Sequence, residues 1–472
     1  MEEHYSMISR VIQRFFPDLN DHETKKFGLL SLSFFTIIGV YWLMRLLKDT
    51  VMYKIAFPVE LGWACGHGRM MQPLAKSLSP LMIIVVILIY SKLIDRYKKQ
   101  TLFYIICTGY AIFFAAIGIL LGIKLTMGSA CLGKTVLAST GWLVYLGTES
   151  FGSLIITLFW SFVVSISTND EAKKGFPLII AGGQLGAIIG SALNLFTEQL
   201  GGTWILFIIA ALAISIIIPL IRHFMKVIPE NELIGNVKAH KSEDRKEGFI
   251  EGFMTGIQLL FTEPYLVGIL TISTIYDIAS QIMDYQMHSL ADVSPFFHGE
   301  VGFSQFQGIY GITTNSLSFL IALLGTGFLF RKFGVRRCLL IYPLVFAAIV
   351  LSFLGLYTNF DLSIHQLLFM SLGAMIIIKT VSFTINNPAK DILYIPTSRD
   401  ARFKTKGWID MFGSRTTKMF GSRITDFLKY NFSDLIVYGS LISLGVIGFW
   451  IIAAILVGKK NEKLVATGEI IE

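Results

Sequence analysis

The chain has 472 residues, of which 54% are hydrophobic and only 15% are charged, and its mean hydropathy is +0.64. Soluble domains carry about 25% charged residues, so this composition excludes a soluble enzyme with a single anchor and indicates a polytopic membrane protein. The net charge of +8 would suit a nucleic-acid or lipid partner, but its distribution along the chain makes a nucleic-acid surface unnecessary.

Apolar segments of about 20 residues, the length that crosses a bilayer, recur along the whole chain after a polar first segment with no cleavable signal. The eleventh is the most polar and is rich in Gly and Ser, which suits a helix that lines a cavity. We predict an all-α membrane protein of twelve transmembrane helices, with spans at 27–47, 74–94, 101–123, 141–167, 177–197, 203–222, 262–287, 303–330, 338–358, 364–388, 407–428 and 436–458.

Lys and Arg are concentrated on one side of these predicted spans. With twelve crossings, both termini and every second loop share one side, and those segments hold most of the cationic residues. The loops of the other side hold few, among them Lys54, Arg69, Lys124, Lys134 and Lys429. The positive-inside rule then places both termini in the cytoplasm, and this asymmetry accounts for most of the net charge.

The longest predicted connection divides the chain into two sets of six spans. Two six-span halves are the architecture of alternating-access carriers, which hold substrate near the bilayer midplane between the halves. We therefore predict an N-terminal half over 1–222, a cytoplasmic linker over 223–261, a C-terminal half over 262–458 and a cytoplasmic tail over 459–472.

Two local patterns recur in both halves at similar offsets. Basic segments close span 2 at 95–99 and span 8 at 331–337, and both resemble the basic loop motif of major-facilitator transporters. A Lys-Gly and Gly-rich pattern at 174–191 recurs at 406–422, where the second copy carries cations at neutral positions of the first. The repeats favour a major-facilitator-like carrier.

Seven cationic side chains lie within or at the ends of the predicted spans, where a charge costs about 2.5–3.5 kcal/mol at mid-bilayer. All have one sign, which predicts a water-filled path for a polyanion. Such residues suit phosphates, because arginine binds them bidentately and lysine binds them as a point charge. The seven are Arg45, Lys48, Lys76, Lys379, Arg415, Lys418 and Arg423.

Two pairs of these cations are spaced three residues apart, so each pair shares one helix face. Arg45 and Lys48 form one pair, and Arg415 and Lys418 form the other. They could form two facing clamps for phosphate groups. The alternatives for the first pair are snorkelling at a helix end and an ion pair with Asp49.

Acidic residues inside the spans offer partners for these cations. Glu149 in span 4 would pair with a clamp cation or carry a proton, and a purely structural salt bridge is an equal alternative. For Asp277 and Asp284 in span 7 the same alternatives apply: pairing with a clamp cation, carrying a proton, or a structural salt bridge.

Other patterns point to no chemistry. Glycines at 182–190 are spaced for helix packing, and 128–135 matches the phosphate-binding loop pattern without the strand that such a loop needs. The histidines lack metal-ligand spacing, so we expect no metal, cofactor or catalytic residue. Cys65 and Cys131 would both lie on the outer face, and whether they pair stays open.

Several segments together resemble the family of non-mitochondrial ATP/ADP translocases of obligate intracellular bacteria and plastids. The resemblance covers nearly the whole chain, and its last segments are the most specific. The segments are RLLKDT at 45–50, TESFGS at 148–153, DEAK at 170–173, NPAKDILYIP at 387–396 and KTKGWID at 404–410.

The resemblance implies roles for individual residues. The family has two functional lysines and two glutamates, and three of them fall on Lys48, Glu149 and Lys418. The second glutamate falls near Ser280, with Asp277 three residues away on the same helix face. We expect the lysines to bind phosphates with help from Arg45 and Arg415, and Glu149 and Asp277 to govern coupling.

The expected function is therefore exchange of ATP-type and ADP-type nucleotides by alternating access, not enzymatic catalysis. The expected setting is the cell inner membrane, with nucleotide and lipid bilayer as partners, no nucleic acid, and a monomeric chain. Three alternatives remain: a proton-driven nucleotide symporter, a facilitator-type carrier of another organic anion, and a membrane ATPase using 128–135.

Overall fold

The computed structural model describes residues 12–97, 99–228, 258–260, 262–324 and 326–471, and these are almost entirely helical. Most of the predicted linker at 223–261 lies outside the described residues. In chain order the helices are α1 Asp21–Thr50, α2 His67–Arg96, α3 Lys99–Met127, α4 Ser129–Ser165, α5 Asn169–Leu193, α6 Thr203–Val227, α7 Pro264–Thr274, α8 Tyr276–Val293, α9 Gly299–Leu324, α10 Thr326–Asn359, α11 Ile364–Val381, α12 Asn387–Ile392, α13 Arg399–Trp408, α14 Ser414–Leu428 and α15 Phe432–Thr467.

Ten helical segments of the described chain are long and apolar enough to cross a membrane. They confirm the all-α membrane fold, whereas twelve spans stay a prediction. The predicted spans 8 and 11 correspond to α9 and α14, which are not among the ten. Helix α9 buries polar side chains such as Thr314 and Asn315, and α14 has only 15 residues, three of them cationic.

Three short π-helical turns occur in the helices, and the first of them lies beyond the predicted end of its span. Val51–Ile55 continues α1, Ser382–Asn386 joins α11 to α12, and Ile409–Gly413 joins α13 to α14. Span 10 was predicted to end at Pro388, but the helical run continues to Ile392. The wider turn just before this proline accommodates a residue that has no amide N–H to donate.

The described chain forms two compact units, and each combines a large part of one half of the chain with one segment from the other half. Unit 1 comprises Met1–Trp63, Met82–Lys246 and Gly299–Ile312. Unit 2 comprises Ala64–Leu81, Glu247–His298 and Thr313–Glu472. The functional division into two repeated halves stays a prediction.

Glycines bring α1 and α5 into close contact in unit 1. A Cβ atom on Gly186 would lie 2.1 Å from the carbonyl oxygen of Phe35, and one on Gly190 would lie 2.0 Å from that of Gly39. The two backbones therefore meet where no larger side chain fits, and the prediction that 182–190 is a packing surface is confirmed.

Polar contacts hold the segment Gly299–Ile312 in unit 1. Glu300 forms a 2.8 Å ion pair with Lys124 of α3 and accepts a 3.2 Å hydrogen bond from Thr203 of α6. The Phe303 ring stacks on Tyr53 with centroids 5.0 Å apart.

Unit 2 packs around α8, which is buried on most of its surface. The Nε2 atom of Gln286 donates a 2.7 Å hydrogen bond to the carbonyl of Leu435 at the start of α15. Tyr276 packs against the buried rings of Tyr342 and Trp450, with centroids 5.6 Å apart in each case. Helix α8 is therefore held in place by a hydrogen bond and by aromatic packing against other helices of unit 2.

Candidate functional site

The buried Lys48 forms an ion pair with the half-buried Glu149 in unit 1. Helix α1 and its π turn continue to Ile55, so Lys48 lies inside the helix and not at its end. Its side chain is only 5% exposed, its Nζ donates to Glu149 Oε1, and it lies 4.0 Å from the centroid of the Tyr145 ring. Snorkelling towards water is thereby excluded for Lys48 in this structure.

The neighbouring carboxylate, Asp49, is also buried, and its Oδ1 atom accepts no hydrogen bond from the described residues. Glu149 is therefore the carboxylate that Lys48 directly contacts. Since Glu149 is on α4, this pair joins two helices of unit 1.

Arg45, one turn before Lys48, is held by aromatic side chains. Its guanidinium carbon lies 4.9 Å from the centroid of the Trp42 ring and 5.9 Å from that of Tyr41. Its Nη1 donates a 3.3 Å hydrogen bond to the Tyr41 hydroxyl. Such stacking fixes the plane of the guanidinium group while keeping its charge, which is useful for binding an anion.

Unit 2 contains a second cation–carboxylate pair at the start of α8. Asp277 is 3% exposed and lies in the first helical turn, where the helix dipole favours a negative charge. It accepts a short hydrogen bond from Ser414 Oγ, and its Oδ1 lies 3.8 Å from Lys418 Nζ. Lys418 is 41% exposed, so this cation is both paired and accessible.

The π turn Ile409–Gly413 leads directly into this second pair. Such turns are frequent at functional sites, because the extra residue rotates the side chains that follow. Here the following residues are Ser414, Arg415 and Lys418, and Arg415 is half-buried on α14.

A further polar group of unit 2 lies around Asp284. This carboxylate is 3.0 Å from Lys76 Nζ, and His288 Nδ1 lies 3.8 Å from its Oδ2. Nearby on α11, Lys379 donates a 2.8 Å hydrogen bond to Ser280. Of the cations noted in the sequence, Lys48, Lys76, Lys418 and Arg423 each contact a carboxylate, the last paired with Asp426 at 3.7 Å.

The segment 128–135 does not have the form of a phosphate-binding loop. It follows α3 and runs into α4, with turns at Gly128 and Gly133 where φ is positive. Lys134 lies 4.1 Å from the Trp63 ring centroid and donates to the Gly62 carbonyl at 3.4 Å. Cys65 and Cys131 are both exposed free thiols.

Sequence reasoning missed three partners in these sites. Tyr145 lies four residues before Glu149, on the same face of α4, and Ser414 lies four before Lys418 on α14. His288 likewise follows Asp284 by four. A search for polar or aromatic residues one turn away from each charged residue would have found all three.

Comparison with known sequences identifies the family. The chain matches the TLC ATP/ADP transporter family over residues 1–461. It is 25% identical to ADP,ATP carrier protein 2, chloroplastic, of Arabidopsis thaliana, an alignment that covers 91% of this chain and 74% of that protein. It is 23% identical to ADP,ATP carrier protein 1 of Chlamydia pneumoniae, over 95% of this chain and 93% of the relative.

Solved structures share the fold. A nucleoside transporter, NupG, aligns with a TM-score of 0.55 at 15% identity over 93% of this chain and 98% of that one. A bacterial homologue of the iron transporter ferroportin aligns with a TM-score of 0.62 at 12% identity over 92% and 98%. Both are major-facilitator-type transporters. The chain is a multi-pass membrane transporter, not an enzyme, and it belongs to the TLC ATP/ADP transporter family.

Proposed function

We propose that this chain exchanges ATP and ADP across a membrane by alternating access. Membership of the ATP/ADP transporter family over residues 1–461 is the observation that carries this proposal. The curated relatives from plastids, Chlamydia and Rickettsia are ADP,ATP carriers by name.

Lys48 in unit 1 and Lys418 in unit 2 are the proposed phosphate-binding residues. Each is paired with one carboxylate, Glu149 or Asp277, and a phosphate can replace that carboxylate without leaving a cation uncompensated. Arg45 and Arg415 assist by adding positive charge one turn away. The carboxylates then act as internal substitutes for the substrate.

The runner-up function is proton-driven nucleotide import. When a phosphate displaces Glu149 or Asp277, the released carboxylate becomes free to take up a proton, which would couple transport to the proton gradient. Ser280, which accepts a hydrogen bond from Lys379, stands where the family resemblance leads one to expect a glutamate. A carrier of another organic anion is the third possibility.

Uptake of labelled ATP by intact bacterial cells that express this chain separates these functions. An exchanger loses its label rapidly when excess unlabelled ADP is added, and a protonophore has no effect. Collapse of uptake with protonophore and no ADP-driven efflux would identify a symporter. Uptake of another anion that ATP and ADP cannot compete away would contradict nucleotide transport.

Charge reversal tests the phosphate site. Lys418→Glu places a carboxylate beside Asp277, so we expect uptake to be abolished while the protein still inserts in the membrane. Lys460→Glu is the control, because Lys460 is an exposed lysine of the same unit that lies outside the proposed phosphate site. Normal uptake by the Lys418 variant would contradict the assignment.

We further propose that the chain is a monomer in the cell inner membrane with both termini in the cytoplasm. The distribution of Lys and Arg along the sequence supports this orientation. An impermeant thiol reagent added to intact cells should label the exposed Cys65 and Cys131, whereas the buried Cys107 and Cys338 should not react. Labelling of Cys65 and Cys131 only after cell lysis would reverse the orientation.

A further inference from the structure

A basic cavity opens at one end of the helices of unit 2, and its lining includes none of the residues of the proposed transport site. Its volume is about 570 Å³, within the usual range for small-ligand sites. Cationic, apolar and acidic side chains all contribute, and the lining comprises Lys332, Phe333, Gly334, Arg336, Arg337, Leu340 and Glu462.

The backbone at Gly334 shapes this cavity. Gly334 has a φ of +72°, a conformation that residues with a Cβ atom rarely adopt, and it interrupts the helical geometry of α10. The break separates Lys332 from Arg336, so the chain turns around the cavity. We expect any other residue at 334 to disturb the arrangement of these cations.

Helix α15 forms the facing wall. Arg336 Nη1 forms a 3.0 Å ion pair with Glu462 Oε2. Gly458, one turn earlier on α15, faces the same side chain, since a Cβ there would lie 3.0 Å from Arg336 Cγ. Arg336 is therefore held against α15 and partly neutralised.

Cationic residues outnumber acidic ones in the cavity lining. Among the described residues of the lining, Glu462 is acidic and Lys332, Arg336 and Arg337 are cationic. Arg337 is exposed and forms no ion pair with another described residue. An anion in the cavity would relieve the repulsion among these cations.

The position of the cavity indicates which kind of anion it would bind. Lys332 is the first residue of the segment Lys332–Asn359, which is long and apolar enough to cross a membrane, so we expect the cavity at the level of the lipid headgroups. Phe333 is 38% exposed beside it and offers an apolar surface to acyl chains. Basic pockets at this level of membrane proteins bind phosphate-bearing lipid headgroups.

The geometry points to a second phosphate site, in which Lys332, Arg336 and Arg337 bind the headgroup of an anionic phospholipid. Each cation near a charged membrane surface contributes about 1 kcal/mol to such binding. Loss of two cations should therefore weaken lipid binding about 30-fold.

The test uses the purified full-length carrier in detergent, titrated with cardiolipin, with phosphatidylcholine, or with ATP. Thermal unfolding is followed for wild type, for Lys332→Gln/Arg337→Gln, and for the control Lys460→Gln, an exposed lysine at the same end of unit 2 but outside the cavity. We expect cardiolipin, and not phosphatidylcholine, to stabilise wild type and the control. The double variant should need about 30-fold more cardiolipin for the same effect.

Two further variants distinguish loss of the lipid site from misfolding of the protein. Arg337→Lys keeps the charge and should retain the cardiolipin effect. Glu462→Gln releases Arg336 from its ion pair and should strengthen the effect. Equal stabilisation of wild type and the double variant by cardiolipin would overturn the proposal. ATP stabilisation that disappears in the double variant, without any cardiolipin effect, would identify free nucleotide as the occupant and overturn the lipid assignment.

Discussion

A buried lysine that contacts a carboxylate, as Lys48 contacts Glu149, depends largely on that carboxylate for its charge compensation, to which the adjacent Asp49 adds. Removing one partner of a buried ion pair costs about 3–5 kcal/mol, because the other charge is left uncompensated. A phosphate could supply the missing negative charge. The two partners should therefore differ in their effects when mutated: the lysine is needed for binding, and the carboxylate is needed for release.

Glu149→Gln should uncouple nucleotide binding from exchange. We expect the variant without ligand to be about 3 kcal/mol less stable than wild type, and ADP to restore most of that loss, because its phosphates then compensate Lys48. Exchange should fall at least about tenfold, since nothing replaces the departing phosphate. ADP-dependent thermal unfolding and labelled-ATP exchange measure these two effects.

Glu198→Gln is the control for this substitution, since Glu198 is an exposed carboxylate of the same unit with only a 3.5 Å contact to Gln305. If ADP stabilises the Glu149 variant no more than wild type, the ion pair is structural and the coupling role is wrong.

Asp277→Asn makes the corresponding change in unit 2. The amide oxygen can still accept the hydrogen bond from Ser414, but it no longer compensates Lys418. We expect a smaller loss of stability than for Glu149→Gln, because Lys418 is 41% exposed, together with tighter ADP binding and slower exchange. Equilibrium binding of labelled ADP checks this, with the exposed Asp361→Asn as control. Weaker ADP binding by the variant would place Asp277 among the residues that bind substrate directly.

Among the helices, the contact between α1 and α5 should tolerate no side chain at Gly186. The Cβ of Gly186→Ala would lie 2.1 Å from the Phe35 carbonyl oxygen, so the two backbones would have to separate, at a cost of about 1–3 kcal/mol. Gly109→Ala on α3 should cause no loss, because no atom lies within 4 Å of its Cβ. Thermal unfolding in detergent compares the two, and equal melting temperatures would show that α5 can shift without penalty.

A buried ion pair also joins these two helices near their polar ends. Lys26 is fully buried and forms a 3.1 Å pair with Glu171, whereas Lys173 and Asp170 form an exposed pair at 3.3 Å. Lys26→Met should cost about 1–3 kcal/mol of stability, because the half-buried Glu171 loses its cation but keeps its hydrogen bonds from Thr168, and Lys173→Met should cost less than about 1 kcal/mol. Denaturant titration measures both. Similar losses would mean that Glu171 finds another compensating group.

Helix positions follow from apolarity, but helix ends and partners do not. The sequence predicts α1 to end at residue 47, because Lys48, Asp49 and Lys54 make the next segment polar, yet the helix continues to Ile55 since Lys48 is compensated within the protein. Charged residues of the site are visible as departures from an apolar pattern. The pairings of Lys48 with Glu149 and of Lys418 with Asp277 depend on tertiary packing, which no periodicity specifies.

At the scale of the whole molecule, each compact unit includes a segment from the other half of the chain. Unit 1 holds Gly299–Ile312 through Glu300, and unit 2 holds Ala64–Leu81 through Lys76 and Arg69, the latter 3.6 Å from Asp292. A repeat in the sequence predicts two halves, but it carries no information on which segments associate. In the sequence, nothing distinguishes the charged residues that hold both segments from other charged residues at the ends of spans.

The central claim, nucleotide exchange, is tested most directly by efflux from vesicles that contain the purified carrier. Vesicles are loaded with labelled ADP and diluted into buffer with ATP, with adenosine, or with no nucleotide. Our account predicts rapid loss of label with external ATP only, and no loss in vesicles that carry Lys48→Gln. Rapid efflux without external nucleotide, or efflux that depends on a proton gradient and not on ATP, would contradict it.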